Sequence, residues 1–327
     1  MFKLFKRIVS SIYRRSGLNF FNKKEFQVPQ TDELTTIQDP QTDELTTNAS
    51  YWTKHNVTLH KEFLNPEDSI DYLDWRNTQY LFYDELMPFD DYDDQVVLDY
   101  GCGPGNDMAG VVAYSNPKHI IGMEISPTSL AEAELRLKLH NPNSIEFMLI
   151  SDESSVIPLD DGSVDSVICS GVFHHTPKPD EILSEFHRVL RPGGRVRMMV
   201  YNYDSLWVHL YVAYQRRILE GIDTDVSLEE AFKRSTDGPE CPISRYQKKN
   251  EFSIYLNSAG FQSTYVGAAV SLHELSLLPS RYPALMNQEL PTVHREFLKS
   301  LQFDKFGRPI HEGHVAGIDS VYELVKI

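Results

Sequence analysis

The feature that most constrains the fold is a short β-rich run followed at once by a glycine-rich loop. The run Val96-Val-Leu-Asp-Tyr100 favours a strand, the loop Gly101-Cys-Gly-Pro-Gly105 follows it, and residues 107–114 can form a helix. Glycines at such a junction allow a ligand to approach backbone N–H groups at the start of the helix. The segment therefore predicts a strand, a turn and a helix with a binding site at the turn.

Strands and helices alternate through the following residues. Further strands are predicted at 119–123, 145–150, 164–169, 195–200, 261–266 and 321–327, and helices at 129–140, 180–190 and 251–259. Ser126 and Pro127 mark the N-cap and the first position of the first of these helices. Such alternation implies a mostly parallel sheet with right-handed crossovers. Residues 205–249 and 275–318 interrupt it, so we interpret them as insertions, the second of them irregular.

Charge and cysteine content argue against several classes of protein. The 327 residues contain 47 acids and 31 bases, for a formal charge of −16, which opposes attachment to nucleic acid phosphates. Cys102, Cys169 and Cys241 fit neither a disulfide framework nor a Cys-x-x-Cys metal clip, so we expect a cytoplasmic protein with no metal. No apolar stretch approaches the roughly 18 residues of a membrane-spanning helix, which argues against an integral membrane protein.

The first 24 residues differ from the rest, because they contain seven Lys or Arg side chains and no acid. In a helix, Phe2, Phe5, Val9 and Ile12 would share one side. Such a basic amphipathic segment could attach peripherally to anionic lipid. It could equally be a solvated tail or a removable targeting segment.

A polar heptapeptide then occurs twice, at 30–36 and 41–47. Two short hydrophilic copies cannot bury a core, so they predict a linker. We therefore expect a basic segment and linker over residues 1–50, a helical cover over 51–95, and the main α/β domain over 96–327.

Acidic residues follow the second and third strands of this domain. Glu124 ends the second strand, where a carboxylate can accept hydrogen bonds from both hydroxyls of a ribose. Asp152 follows the third strand and could accept from the exocyclic amine of adenine. With the glycine loop, they predict a nucleoside site at one sheet edge. A dinucleotide loop would need its third glycine at Asn106, which disfavours the alternative of an NAD-dependent oxidoreductase.

These motifs resemble those of the class I S-adenosylmethionine-dependent methyltransferases, in particular the group with a methyltransferase type 11 domain. The resemblance covers residues 96–201 and rests on Val97–Gly105, Gly122–Ile125, Ile150–Asp152, Leu159–Val167, Gly171–His175 and Val189–Arg195. It implies a Rossmann-like, seven-stranded, mostly parallel sheet with helices on both faces, in the order three, two, one, four, five, seven, six. Strand seven would be antiparallel, and the insertions would follow strands five and six.

The resemblance also implies S-adenosylmethionine as the cofactor, with residue roles by position. Asp99, Gly101, Gly103 and Gly105 would hold its amino-acid end, Glu124 its ribose and Asp152 its adenine, with Cys102, Ile125 and Glu153 in the same site and Ser170 facing the transfer centre. Methyl transfer requires chiefly the alignment of donor and acceptor. A base is needed only for an acceptor O–H, thiol or acidic carbon, and His174 or His175 could then serve. Alternatively, one histidine caps the next turn and the other packs under the loop.

We therefore expect methyl transfer to a small-molecule or lipid-like acceptor, with residues 51–87 and 205–249 covering the site. We expect no nucleic acid partner, and peripheral membrane contact only through residues 1–24. The alternative is a non-catalytic, cofactor-binding scaffold that docks to membranes through the same segment.

Overall fold

The computed structural model describes residues 47–58 and 60–327, so the basic segment 1–24 and most of the polar repeat lie outside the described residues. A central sheet dominates this part of the chain. The strands, in chain order, are β1 (Tyr80–Leu81), β2 (Val96–Tyr100), β3 (His119–Glu124), β4 (Ile145–Leu149), β5 (Val164–Ser170), β6 (Leu190–Tyr201), β7 (Phe261–Ser271), β8 (Gln302–Phe303), β9 (Pro309–His311), β10 (His314–Val315) and β11 (Asp319–Lys326).

In the described residues, eight of these strands form one sheet in the order β4-β3-β2-β5-β6-β11-β7-β1. The five strands β4, β3, β2, β5 and β6, which are neighbours in this order, are parallel to one another. Strand β11 is antiparallel to both β6 and β7. The predicted order is therefore confirmed for the seven main strands. The additional strand is β1, which pairs Tyr80 with Ser271 and Leu81 with Val270. This pairing is possible because β7 continues five residues beyond its predicted end at Val266.

Helices cover the sheet on both faces. They are α1 (Asn48–Lys54), α2 (Pro66–Thr78), α3 (Tyr83–Leu86), α4 (Asn106–Tyr114), α5 (Pro127–His140), α6 (Pro179–Val189), α7 (Leu228–Thr236), α8 (Lys249–Ser258), α9 (Leu272–Ser276), α10 (Arg281–Met286) and α11 (Thr292–Ser300), with a π-helix at Trp207–Leu219. The start of α5 is as predicted, because Ser126 accepts a hydrogen bond from the Ser129 N–H and Pro127 occupies the first turn. No helix in the described part of the chain is long and apolar enough to span a membrane.

The expectation of an irregular stretch over 275–318 is wrong. This stretch contains α10, α11 and a small antiparallel sheet in the order β10-β9-β8. Its regular structure follows from apolar burial, since Leu290, Phe297 and Leu298 pack in one cluster with Leu206 and Leu210. The two insertions therefore share a core of their own, a tertiary contact that no local pattern reports.

Two apolar cores lie on opposite faces of the main sheet. Along β2, Val97 belongs to one core and Leu98 to the other, because successive side chains of a strand face opposite sides. Met108 of α4 joins the first core and Phe186 of α6 the second. Each fully buried side chain of this kind contributes about 1.5–3 kcal/mol to stability. This arrangement fixes the strand ends on which the site is built.

A buried arginine connects the N-terminal helices to the glycine loop. Arg136 of α5 is 2% exposed. Its Nε donates to Ser69 Oγ at 2.7 Å, its Nη2 to the Ser69 carbonyl at 2.8 Å, and its Nη1 to the Asn106 side chain. Because Asn106 is the first residue of α4 and Ser69 lies in α2, the network holds α2 beside the loop.

Candidate functional site

A cavity of about 610 Å³ lies at the carboxyl ends of the parallel strands. Its wall includes Asp99 and Gly103 from β2 and its loop, Glu124 from β3, Asp152 after β4 and Ser170 from β5. Open α/β sheets bind ligands at this edge, and the volume is typical of a small-molecule site. The structure thus brings residues from four predicted strand ends to one cavity.

The glycine loop bends through left-handed backbone conformations. The φ angles of Gly101, Gly103 and Gly105 are 76°, 52° and 76°. At Gly103 a Cβ atom would meet only Val57 Cγ2, at 3.9 Å, so this position leaves open space in the cavity. At Gly101 a Cβ would overlap with the side chain of Val172. Gly101 therefore shapes the loop, and Gly103 leaves room for a ligand.

The variants Gly101→Ala and Gly103→Ala should separate folding from ligand binding. Both place a side chain at positive φ, which costs about 1–2 kcal/mol. Gly101→Ala adds overpacking against Val172, so we expect its free energy of unfolding to fall by about 2–5 kcal/mol in total. We expect Gly103→Ala to stay folded and to bind S-adenosylhomocysteine about tenfold more weakly, a loss of about 1.4 kcal/mol.

Thermal unfolding and isothermal titration calorimetry measure the two effects. Parent-like affinity of Gly103→Ala, or parent-like stability of Gly101→Ala, would contradict the roles given to these glycines.

Backbone donors hold the Glu124 carboxylate at the end of β3. Oε2 accepts from the Gly103 N–H at 2.9 Å and Oε1 from the Ser126 N–H at 2.8 Å. Burial raises the pKa of Glu124 above its ordinary value, and these backbone donors oppose that shift. Each carboxylate oxygen keeps a further lone pair. Glu124 is thus oriented to accept hydrogen bonds from hydroxyl groups of a ligand.

Asp99 presents a buried acceptor at the cavity wall. The residue is 2% exposed, and its Oδ2 has no hydrogen-bond partner among the described residues. Burial, Asp107 and Glu124 raise the pKa of Asp99, whereas Arg76 lowers it. An unpaired buried carboxylate oxygen is costly, so a ligand that donates a hydrogen bond or carries positive charge would be stabilised here.

Acidic side chains outnumber basic ones around the cavity. The acids are Asp99, Asp107, Glu124, Asp152, Asp237 and Asp319, and the bases are Arg76 and Lys178. Arg76 is already paired, since its Nη1 donates to Asp107 Oδ1 at 2.8 Å. The glycine loop 101–105 contains no lysine that would bind a phosphate. These residues fit a nucleoside that carries a positive charge, such as a sulfonium, and no phosphate.

The side of the cavity near β5 and β11 carries hydroxyl groups and a second buried acid. Tyr83 Oη lies 2.7 Å from Ser170 Oγ. Asp319, at the start of β11, is 3% exposed. Burial and the nearby Glu274 raise the pKa of Asp319 to about 8. A carboxyl group with this pKa can exchange a proton at neutral pH. The sequence motifs did not indicate Asp319, because it lies in the last strand, far from them in the chain.

The two predicted histidines occupy different positions. His174 is buried behind the wall, its ring 4.0 Å from that of Tyr201, and within the described residues neither ring nitrogen has a hydrogen-bond partner. Burial and the neighbouring His175 lower the pKa of His174. His175 borders the cavity, and its Nδ1 lies 2.6 Å from the Ile243 carbonyl oxygen. A role as proton acceptor stays a prediction for both histidines.

Of the remaining predicted residues, some border the cavity and others do not. Cys102 and Ile125 border the cavity. Gly105 is the N-cap of α4 and faces Leu137, and Glu153 is exposed in the turn after β4. The structure therefore does not bring Gly105 and Glu153 to the wall that the other predicted residues form.

The same region matches a known family. Residues 98–198 match the family described as "Methyltransferase domain". The chain is 34% identical over 131 residues to an uncharacterized 37.1 kDa protein in transposon TN4556 of Streptomyces fradiae, with 38% of this chain and 37% of that protein covered. It is 31% identical over 137 residues to the probable methyltransferase ltbC of Aspergillus luteorubrus, with 38% and 45% covered. The chain thus spans less than half the length of both proteins.

A longer match is to the demethylmenaquinone methyltransferase of Paenarthrobacter aurescens, at 26% identity over 230 residues, with 68% of this chain and 79% of that protein covered. The family match runs from β2 into β6, and these strands and their loops supply Asp99, Gly103, Glu124, Asp152 and Ser170 to the cavity. The segment from residue 98 to residue 198 therefore matches a methyltransferase domain, the type of domain that the sequence motifs resemble.

Proposed function

We propose that the protein transfers a methyl group from S-adenosylmethionine to a small-molecule acceptor bound in the same cavity. The observation that carries the proposal is the meeting of Gly103, Glu124 and Asp152 at one acidic cavity. When bound there, S-adenosylmethionine would supply an electrophilic methyl group on a positively charged sulfur.

The wall residues suit the parts of this cofactor. Glu124 has free lone pairs for the ribose hydroxyls, and Asp152 would accept from the adenine amine. The unpaired Oδ2 of Asp99 would accept from the ammonium group of the amino-acid end. Gly103 leaves the space through which that end passes. Several charge-assisted hydrogen bonds of this kind give both affinity and orientation.

The acceptor would bind between Ser170, Tyr83 and Asp319. The wall of the cavity also includes the rings of Trp52 and Trp75, from α1 and α2. Such rings provide apolar area, which favours an acceptor with a flat or lipid-like body. Alignment of donor and acceptor and exclusion of water would supply much of the rate.

Asp319 would take the proton when the acceptor is a hydroxyl group. The oxygen of the acceptor would form the new bond to the methyl carbon while the bond from that carbon to sulfur breaks, with its electron pair left on the sulfur of S-adenosylhomocysteine. The hydroxyl proton would pass to the carboxylate of Asp319. The Tyr83 and Ser170 hydroxyls, hydrogen-bonded to each other, would orient the acceptor. A base in this position needs a pKa near the working pH, and burial brings the pKa of Asp319 to about 8.

Isotope transfer tests the proposal. The protein is incubated with S-adenosylmethionine carrying a deuterated methyl group and with a small-molecule cell extract, and the products are followed by untargeted mass spectrometry. We expect a labelled product that is missing when Glu124→Ala replaces the parent. Tight S-adenosylhomocysteine binding without any labelled product across extracts would contradict catalysis and favour a binding-only scaffold.

A further inference from the structure

Three potential metal ligands meet beside the cavity, outside the residues assigned to the nucleoside. His175, Asp237 and Cys241 each contribute one ligand atom, and these atoms all lie within 4.8 Å of one another. The side chains of His175 and Asp237 are 6% and 8% exposed, and Cys241 is buried. His175 and Asp237 also border the cavity. The cluster is therefore shielded from bulk water and open toward the cavity.

One hydrogen bond fixes the orientation of the histidine. Nδ1 of His175 lies 2.6 Å from the Ile243 carbonyl oxygen, which can only accept, so Nδ1 carries the proton. In the neutral ring, Nε2 then carries an unprotonated lone pair. The Nε2 atom lies 3.8 Å from Asp237 Oδ1. Metal-bound histidines are typically held in this way, by a carbonyl that accepts from the nitrogen opposite the metal.

The other two ligands are held by neighbours as well. Asp237 Oδ2 accepts from Ser244 Oγ at 2.6 Å and from Thr236 Oγ1 at 2.7 Å, and Oδ1 accepts from Tyr201 Oη at 3.1 Å. Oδ1 keeps one further lone pair. The Cys241 thiol donates to the Ile243 carbonyl at 3.3 Å, the same oxygen that holds His175. Hydrogen bonds therefore preposition all three ligands before any ion binds.

We propose that His175, Asp237 and Cys241 form a site for a borderline-soft divalent cation such as Zn²⁺. Imidazole, carboxylate and thiolate are the ligand types that zinc takes in proteins. Three protein ligands leave the fourth tetrahedral position for a water or for an acceptor group in the cavity. On binding, the thiol proton of Cys241 is released to solvent, and a metal–sulfur bond replaces its hydrogen bond to Ile243.

The geometry requires a small closing movement. The metal bond lengths usual for zinc separate tetrahedral ligand atoms by about 3.3–3.6 Å, so the cluster must contract by about 1 Å. The ion would join the insertion residues Asp237 and Cys241 to the turn that follows β5. The sequence predicts no metal site, because its three cysteines form no metal-binding motif. The histidine and the carboxylate complete the set.

Cobalt binding tests the site directly. Parent, Cys241→Ser and the matched control Cys169→Ala, which removes a buried cysteine outside the cluster, are stripped with a chelator and titrated with Co²⁺. We expect a thiolate-to-cobalt charge-transfer band that saturates at one equivalent in parent and control, and no band in Cys241→Ser. Zn²⁺ should displace the cobalt, and its affinity should fall more than about 100-fold in Cys241→Ser, since even residues behind the ligands cost 10–100-fold.

Asp237→Asn provides a second variant with the thiol in place. It should keep the charge-transfer band and bind both ions at least about tenfold more weakly. Absence of the band in the parent at stoichiometric cobalt would overturn the proposal, and so would parent-like zinc affinity in either variant. S-adenosylhomocysteine binding, measured on the same samples, reports the nucleoside site separately, so a failure of this proposal is distinguishable from a failure of the proposed methyl transfer.

Discussion

Glu124→Ala should weaken S-adenosylhomocysteine binding by about 100- to 10,000-fold. Two hydrogen bonds from the ribose to a charged carboxylate are lost, each worth about 1.5–3 kcal/mol, and about 1.4 kcal/mol corresponds to a tenfold change in affinity. The substitution also removes the acceptor for the N–H groups of Gly103 and Ser126. The substitution therefore removes contacts with the ligand and also a hydrogen bond that holds the glycine loop in position.

Titration calorimetry on three proteins measures this effect. Glu146→Ala is the matched control, because Glu146 lies on the adjacent strand β4 with its side chain 49% exposed. It should bind like the parent. Glu124→Gln keeps the shape and should lose about tenfold, since a neutral acceptor makes weaker hydrogen bonds than a charged one. Parent-like affinity of Glu124→Ala would show that the ribose binds elsewhere.

Asp319→Asn should lower the turnover of a hydroxyl acceptor by about 100- to 10,000-fold, the usual contribution of a positioned base. Asparagine keeps the size of the side chain and cannot take the proton. Cofactor binding should change little, because Glu124, Asp99 and Asp152 are untouched. If the Asp319→Asn variant methylated the acceptor at the parent rate, Asp319 would not be the base.

Asp319→Asn should lower turnover but should raise the stability of the folded protein at alkaline pH. The pKa of Asp319 is about 8 in the folded protein against an ordinary value of 3.8, because of burial and the nearby Glu274. The folded state therefore holds this proton more tightly than the unfolded state. Its contribution to the free energy of unfolding is full below about pH 4, falls as the pH rises to about 8, and is lost above that.

Asparagine stays neutral and avoids this loss. Asp319→Asn should therefore unfold at a higher temperature than the parent at about pH 9 and at a similar temperature at about pH 4. Thermal unfolding across this range measures the difference, with the exposed Asp225→Asn as control. A difference that does not depend on pH would contradict the buried, proton-binding state of Asp319.

The main sheet could be predicted because its signals are local. Each strand from β2 to β5 is a short run rich in apolar residues, and Ser126 with Pro127 marks the start of α5. Strand β6 begins at Leu190, five residues before its predicted start. Strand β1 could not be predicted, because Tyr80 and Leu81 lie in a stretch with a helical pattern. They form a strand only by pairing with the end of β7. The helices of 275–318 likewise depend on packing against the π-helix.

The residues of the site also fall into two groups, those indicated by local sequence motifs and those brought together only by folding. The nucleoside end could be predicted because Asp99 lies near the end of a recognisable strand, Glu124 ends the next strand and Asp152 follows the third. At the acceptor end, Ser170 could be predicted from the motifs in the same way. Tyr83 in the cover, Asp237 in the insertion and Asp319 in the last strand have no motif around them. Only the folded chain brings these side chains to one cavity.

A crystal structure of the complex with S-adenosylhomocysteine tests the central claim most directly. Our account predicts ribose hydroxyls within hydrogen-bonding distance of the Glu124 carboxylate, adenine beside Asp152, and the amino-acid portion over Gly103. A ligand bound away from these three residues, or one whose ribose makes no contact with Glu124, would contradict it.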